Sequence, residues 1–367
     1  MLAQTALAGA TSFRPLRFSD DGTFQISIFK DLHFGKSKDL VSYNNDRNSI
    51  TVLNTILNAE SPDLVVLNGD LITGENGFLE NATVYIDQII GPLVDRGLTW
   101  ASMYGNHDHQ YNLSAEALLE REQSYANART QRMVSGHDAG VSNYYLPVYG
   151  SDGSSDPKLL LWFFDSRGGN YFRELDKSGN IVPQPNWYNK TIPLLAFVHI
   201  PTNASLAAQT VVGIDANSKP GINNNVPLAQ QGQGWCEDGT NSNDCAYGGQ
   251  DIPFIKALVK TPGVLGVFSG HDHGNTWCYK WDSELQLPGV GGGNGLNLCF
   301  GQHSGYGGYG SWIRGSRQLL LSEEALGRGE LDTWIRLESG DVVGSVSLNG
   351  TYGEDLYPAT PNDMTHS

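Results

Sequence analysis

The sequence predicts an α/β protein built from layered sheet and helix. Two observations carry this: short apolar runs alternate with amphipathic stretches from Phe24 onward, and 367 residues with 39% hydrophobic content can bury a large core. Residues 24–29 read as a strand. Ile50, Leu53, Ile56 and Leu57 recur at helical spacing and stop before Pro62, and residues 64–67 follow as a continuous apolar run of the buried-strand kind. Ile86, Ile89, Ile90, Leu93 and Val94 form the next helical stripe, ending at Gly97, with Pro92 inside it predicting a kink or early break. A strand at 100–104 and a helix near 114–125 come next. The aromatic runs 144–149 and 159–164, then 194–198, read as strands of a second sheet. Residues 214–250, rich in Asn, Gln and Gly, read as a long ordered loop with the character of a lid. Phe254, Ile255, Leu258 and Val259 predict a short helix ended by Pro262 and Gly263, then a strand at 264–268. A hairpin around Ser339-Gly340-Asp341 accounts for 331–348. The predicted organisation is an N-terminal extension or signal remnant over 1–20, one domain over 21–350 and a tail over 351–367.

Thirty-nine acidic residues against 23 Lys plus Arg give a net charge of −16, which repels a phosphodiester backbone and argues against general nucleic-acid binding. No apolar run approaches the roughly eighteen residues that span a bilayer. The four cysteines include no Cys-x-x-Cys pair and allow three connectivities. Local loop closure favours Cys236 with Cys245, leaving Cys278 with Cys299; free thiols are the alternative. Asn81, Asn112, Asn189, Asn203 and Asn349 each head a glycosylation sequon. Paired cysteines, sequons and acidic charge together favour a secreted or lumenal glycoprotein, extracellular or vacuolar.

The residues with chemistry sit where apolar runs stop. Asp31-Leu-His33 follows the first strand, Gly69-Asp70 the second, and Gly105-Asn106-His107-Asp108 the third. His199 ends the run at 194–198, and Gly270-His271-Asp272-His273 ends that at 264–268. Strand C-termini line the ligand crevice of open α/β sheets, so these endings should converge. Carboxylates, an amide oxygen and imidazoles form a mixed O/N donor set for ions such as Zn, Mn or Fe. The period-two spacing of Asp31 with His33, and of His271 with His273, places each pair on one face if the strand persists. Two donors per strand end suggest two metals, with Asp70 between them, and glycines before Asp70, Asn106 and His271 would allow the turns that aim these side chains.

These motifs, in this order, resemble the calcineurin-like metallophosphoesterases over about 24–348. The segment from Cys299 to Arg317, Gly-rich with His303, further resembles the fungal branch akin to the yeast dosage-dependent cell-cycle regulator phosphatase, and plant purple-acid-phosphatase-like proteins. The resemblance implies two mixed sheets packed face to face between helices, a four-layer α-β-β-α sandwich. It implies that Asp31, His33 and His273 hold one metal, that Asn106, His199 and His271 hold the other, and that Asp70 bridges them. His107 would stabilise the transferring phosphoryl group or protonate the leaving oxygen, with Asp108 orienting it. A hydroxide shared by the two metals would be the nucleophile. After Asp70 this chain lacks the Val-Asp-Arg-Gly of the Ser/Thr protein phosphatases, and no tyrosine follows until Tyr85, so neither phosphoprotein hydrolysis nor a purple tyrosinate colour is expected.

The implied function is a phosphatase acting on a phosphorylated small molecule or exposed phosphoester, with two metal ions from Zn, Mn and Fe. A phosphodiesterase with the same centre is the runner-up, and a catalytically silent scaffold is the reading from another class. His109, His137 and His366 read as solvated. His303 reads first as part of a turn-dense loop packed on the sheet, with substrate contact the lesser alternative.

Overall fold

Two large sheets account for the alternating pattern. The computed structural model describes residues 14–36, 40–76, 79–136, 139–184, 195–228 and 247–365. In chain order its strands begin with β1 (Leu16–Arg17), β2 (Thr23–Phe29), β3 (Leu64–Asn68), β4 (Trp100–Met103), β5 (Tyr144–Tyr149) and β6 (Pro157–Phe164). They continue with β7 (Asn170–Leu175), β8 (Ile181–Pro183), β9 (Leu195–Val198), β10 (Gly266–Ser269), β11 (Cys278–Trp281) and β12 (Leu296–Phe300). The last three are β13 (Gly315–Ser322), β14 (Leu331–Leu337) and β15 (Val342–Leu348). Helices are α1 (Leu40–Ala59), α2 (Leu79–Asp95), α3 (Ala115–Gln123), α4 (Asn203–Ala207), α5 (Ile252–Lys260) and α6 (Glu323–Arg328), with a π turn at Ala208–Val212.

One sheet has the order β15-β14-β13-β2-β3-β4 and the other β1-β5-β6-β9-β10-β12-β11, while β7 and β8 form a separate ribbon. Both are mixed: β2, β3 and β4 run parallel, as do β6, β9, β10 and β12. The period-two alternation of β3 shows how the layers form. Leu64 and Val66 face a core shared with Phe163, Phe197 and Phe268 of the other sheet, whereas Val65 and Leu67 face Leu53, Ile56, Ile89 and Leu118 of α1, α2 and α3. Tyr144 ties the sheets further by donating its hydroxyl to the Ser102 carbonyl at 2.7 Å. On the outer face of the second sheet, Phe254 of α5 meets Phe164 edge-on at 5.0 Å. The result is a four-layer α-β-β-α sandwich.

Most of the expected elements form, with differences that have physical causes. Helix α2 runs through Pro92 to Asp95, because the buried Ile86, Ile89, Ile90 and Leu93 outweigh one lost hydrogen bond. Leu16–Arg17, counted with the N-terminal extension, adds an edge strand to β5. Near the other end, Tyr352 is buried and donates to the Cys278 carbonyl at 2.9 Å. Cys278 and Cys299 face each other in the β11–β12 register, Cα atoms 4.1 Å apart, and form the expected disulfide. Cys236 and Cys245 lie outside the described residues, as do His137, His366 and the 229–246 part of the 214–250 loop.

Candidate metal centre

Strand ends of both sheets meet at one place. Asp31 and His33 follow β2, Asp70 follows β3, Asn106 and His107 follow β4, His199 follows β9, and His271 with His273 follow β10. The aiming device differs from the expected one. Strand β2 does not persist to Asp31; Asp31, His33, Asp70 and His271 themselves adopt left-handed conformations, with φ of 53°, 50°, 50° and 68°. A left-handed backbone costs free energy in a non-glycine residue, and it redirects each side chain from the sheet into the crevice. Backbone bonds hold the Asp31 and His33 turns, since Asp31 N–H donates to the Gly69 carbonyl and His33 N–H to that of Asp70. Gly69 (φ 79°) fits the expected turn role. Gly105 does not have positive φ; it is needed because a Cβ there would collide with the Asp70 carboxylate.

The donors form overlapping sets. Asp31, His33 and His273 offer atoms within 4.8 Å of one another, as do Asp70, His199 and His271, and likewise His33, Asp70 and His107. The first two match the expected pair of sites. Asp70 lies between them, its Oδ2 2.9 Å from His199 Nε2 and 3.6 Å from His33 Nε2. Asn106 Oδ1 sits 3.0 Å from His271 Nδ1, which brings the amide into the second set. His199 Nδ1–H donates to the Asn68 carbonyl at 2.9 Å, and His273 Nδ1–H to that of Tyr309 at 2.8 Å. Both bonds fix the tautomer and leave Nε2 as the free donor atom. Tyr309 also stacks on the His273 ring, centroids 4.0 Å apart.

The electrostatics suit cations. Burial would raise Asp31, yet the ammonium of Lys30, 2.9 Å away, together with His273 and His199, holds it well below the usual carboxylate range. Burial likewise opposes ionisation of Asp70, but His199 and His107 hold it low. Burial lowers His33 to about 4 against the pull of Asp70, burial and then the charge of His199 lower His271 to about 4, and burial keeps His273 neutral as well. Two carboxylates and three neutral imidazoles therefore face one buried space. His199, beside Asp70, is the exception, its pKa raised to about 9 against its burial. His271 leaves a buried Nε2 without a hydrogen-bond partner, and an orphaned acceptor is costly unless something positive occupies the space, so the residues present fit a pair of metal ions.

His107 is half-buried beside this cluster. Its Nδ1 lies 2.8 and 2.9 Å from the two carboxylate oxygens of Glu75, and its backbone N–H donates to Asp70 Oδ1 at 2.8 Å. Burial disfavours its charge, but Asp70 and Glu75 prevail and raise its pKa to about 9. The expectation that Asp108 orients His107 is corrected here. The Asp108 carboxylate turns inward and accepts N–H bonds from Gly105, Leu71 and Ile72, bracing the turns that carry Asp70 and Asn106. Adjacency in sequence misled, because consecutive residues of a turn point in different directions. Glu75, Lys30 and Tyr309 were missed; only the Gly-rich tract around Tyr309 carried any local signal. His109 is corrected too: it is buried, and its Nε2 lies 2.9 Å from Asp165 rather than in water. His303 is fully buried with its ring 3.9 Å from that of His273, which agrees with packing on the sheet. The cluster opens into a cavity of about 380 Å³ lined by His33, Asp70, His107, His271 and His273, with Lys36, Thr73, Asn76 and Tyr309 around them.

The model of the calcineurin-like phosphoesterases matches residues 28–275, more than half of this chain, and the chain belongs to that family. It is 30% identical over 363 residues to "Probable inactive purple acid phosphatase 14" of Arabidopsis thaliana, covering 89% of this chain and 83% of the plant protein. It is 27% identical over 351 residues to "Phosphatase DCR2" of Saccharomyces cerevisiae, covering 89% of this chain and 56% of the yeast protein. Among solved structures, a dimetal phosphatase from Danio rerio aligns with a TM-score of 0.45 at 12% identity, over 89% of this chain and 98% of its own. Purple acid phosphatase PPD1 from yellow lupin (Lupinus luteus) aligns with a TM-score of 0.43 at 15% identity, over 90% of this chain and 54% of its own.

Proposed function

We propose that this chain is a phosphatase that hydrolyses phosphomonoesters at a binuclear metal centre. The observation that carries the reading is the clustering of Asp31, His33, Asp70, Asn106, His199, His271 and His273 at one place, which opens through His33, Asp70, His271 and His273 into a cavity also lined by His107. Asp31, His33 and His273 would hold one ion, Asn106, His199 and His271 the other, and Asp70 both. Two such ions, drawn from Zn, Mn and Fe, would supply Lewis acidity toward the phosphoryl oxygens and a nucleophile from water at mild pH.

The remaining work falls to the chain itself. Glu75 holds Nδ1 of His107, so that Nε2 is left for the substrate. From there His107 stabilises charge on the phosphoryl group or gives a proton to the departing alkoxide, and a histidine beside two carboxylates keeps that proton available. Asp108 contributes through the backbone, by fixing the turns that place Asp70 and Asn106. Lys36 and Asn76 stand where a phosphoester would enter, and a space of about 380 Å³ suits a phosphorylated small molecule or an exposed phosphoester. The Cys278–Cys299 disulfide and the sequons support an extracellular or vacuolar setting.

A plant relative is named inactive and a yeast relative is named a phosphatase; this chain keeps the whole donor set. Hydrolysis of a chromogenic phosphomonoester is expected to exceed that of its diester analogue by at least tenfold after loading with Zn, Mn or Fe. Faster diester cleavage would replace this reading with a phosphodiesterase, and no hydrolysis of either with any metal would point to a binding scaffold.

A further inference from the structure

A second cavity, of about 280 Å³, opens beside the turn that carries His107, and it shares no lining residue with the cavity of the metal donors. Its walls include Arg132, Arg167, Asn170, Tyr171 and Gln184. Arg167 is the unusual member. It is only 3% exposed and adopts φ 59°, a left-handed conformation for a bulky side chain. The guanidinium makes one hydrogen bond among the described residues, from Nη1 to the Tyr171 hydroxyl at 3.2 Å, and its Nε is buried with no partner. Its Cζ also lies over the Tyr171 ring at 5.8 Å, but among the described residues it has no carboxylate partner, and a buried guanidinium so incompletely matched, on a strained backbone, is costly. The nearest carboxylate in sequence, Asp165, is engaged by His109 and by the backbone N–H of Arg167.

The other wall groups suit an anion. Arg132, an exposed residue, supplies a second guanidinium, whose one ion pair among the described residues is with Glu116 at 3.7 Å. Gln184 has a buried Oε1 without a partner, and its amide can present N–H instead by rotating. Two guanidiniums from separate segments line the cavity together with amides, and a planar guanidinium is the side chain that grips oxyanions through paired N–H bonds. Glu116 and Glu174 also line the cavity, which disfavours a polyanion and leaves room for one phosphate whose substituent carries hydroxyl or amino groups. We infer that this cavity is a second binding site, for a single phosphate group, free or on a small polar molecule, held by Arg167 and Arg132. The inference is independent of catalysis at the metal centre.

Calorimetric titration of the full chain tests it, in the Asp70→Asn background so that phosphate held at the metal centre does not obscure the result. Inorganic phosphate and glycerol phosphate are the probes. Saturable binding of at least one probe is expected, weakened about tenfold or more by Arg167→Gln, as loss of a charge-assisted fork implies. Tighter glycerol phosphate would assign the site to an organic phosphate, and equal affinity to phosphate alone. Arg167→Gln in the otherwise unaltered chain should leave chromogenic ester hydrolysis unchanged. If circular dichroism shows that Arg167→Gln does not fold, Arg132→Gln, at an exposed position, takes its place and should weaken binding at least threefold. Absence of binding in Asp70→Asn, or full affinity in the folded arginine variant, would overturn the inference.

Discussion

His107 and Glu75 form the pair on which the proposed chemistry turns at the level of single residues. On that proposal, replacing His107 by Ala removes a group placed to touch the substrate but none of the proposed donors. Metal content should therefore stay at the unaltered value while kcat falls by on the order of 10²–10⁴. Glu75→Gln should fall between the two, because the imidazole keeps a partner but loses the carboxylate that favours its charge. Plasma mass spectrometry beside steady-state kinetics checks both; loss of metal in His107→Ala would move that residue into the donor set. The donors themselves were legible because each stands at the end of an apolar run. Their partners were not. Glu75 sits in an irregular turn, Lys30 directly follows β2 like any charged residue that ends a strand, and His109 meets Asp165 across 56 positions. No local spacing encodes such contacts, since they depend on how the turns close.

Turns, more than strands, determine the site at the level of elements. The period-two argument for Asp31 with His33 assumed the wrong geometry, because left-handed backbone rather than a continued strand brings the two side chains to the cluster. Positive φ at Asp and His cannot be read from composition, whereas Gly69 could be. Helix α3 offers a separate test through Glu122, which is buried with its Oε2 unpartnered. Burial, opposed only in part by the Ser102 hydroxyl, raises its pKa to about 7. The folded state thus binds this proton more tightly than the unfolded chain, so stability falls as pH rises from the ordinary glutamate range through 7. The penalty above that is on the order of 3 kcal/mol. Glu122→Gln should therefore raise Tm by several degrees at pH 8 and leave it nearly unchanged at pH 4; an equal shift at both would contradict the assignment.

The whole molecule is two sheets clamped between helices, and its proposed metal donors come from both. Alternation in β3 divides the core between the sheet interface and the helices α1 to α3, so the sandwich itself was readable from hydrophobic periodicity. Strands β11 to β13 were not, because a Gly-rich tract with buried Gln302, His303 and Ser304 gives no apolar signal between them. That region is held at its base by the Cys278–Cys299 disulfide across β11 and β12. In the chain-entropy account, cross-linking positions 21 apart contributes about 3 kcal/mol. The double variant Cys278→Ser, Cys299→Ser should lower Tm by several degrees, read by differential scanning calorimetry. An unchanged Tm would show that packing of β11 and β12 alone suffices.

Convergence of donors from both sheets on a shared pair of ions is the central claim, and metal stoichiometry tests it most directly. Plasma mass spectrometry of the purified full chain should find close to two ions of Zn, Mn or Fe per chain, and fewer than one in Asp70→Asn, because the carboxylate between the two sites is lost. One ion or none in the unaltered protein after incubation with each metal, or two ions retained in Asp70→Asn, would contradict the account.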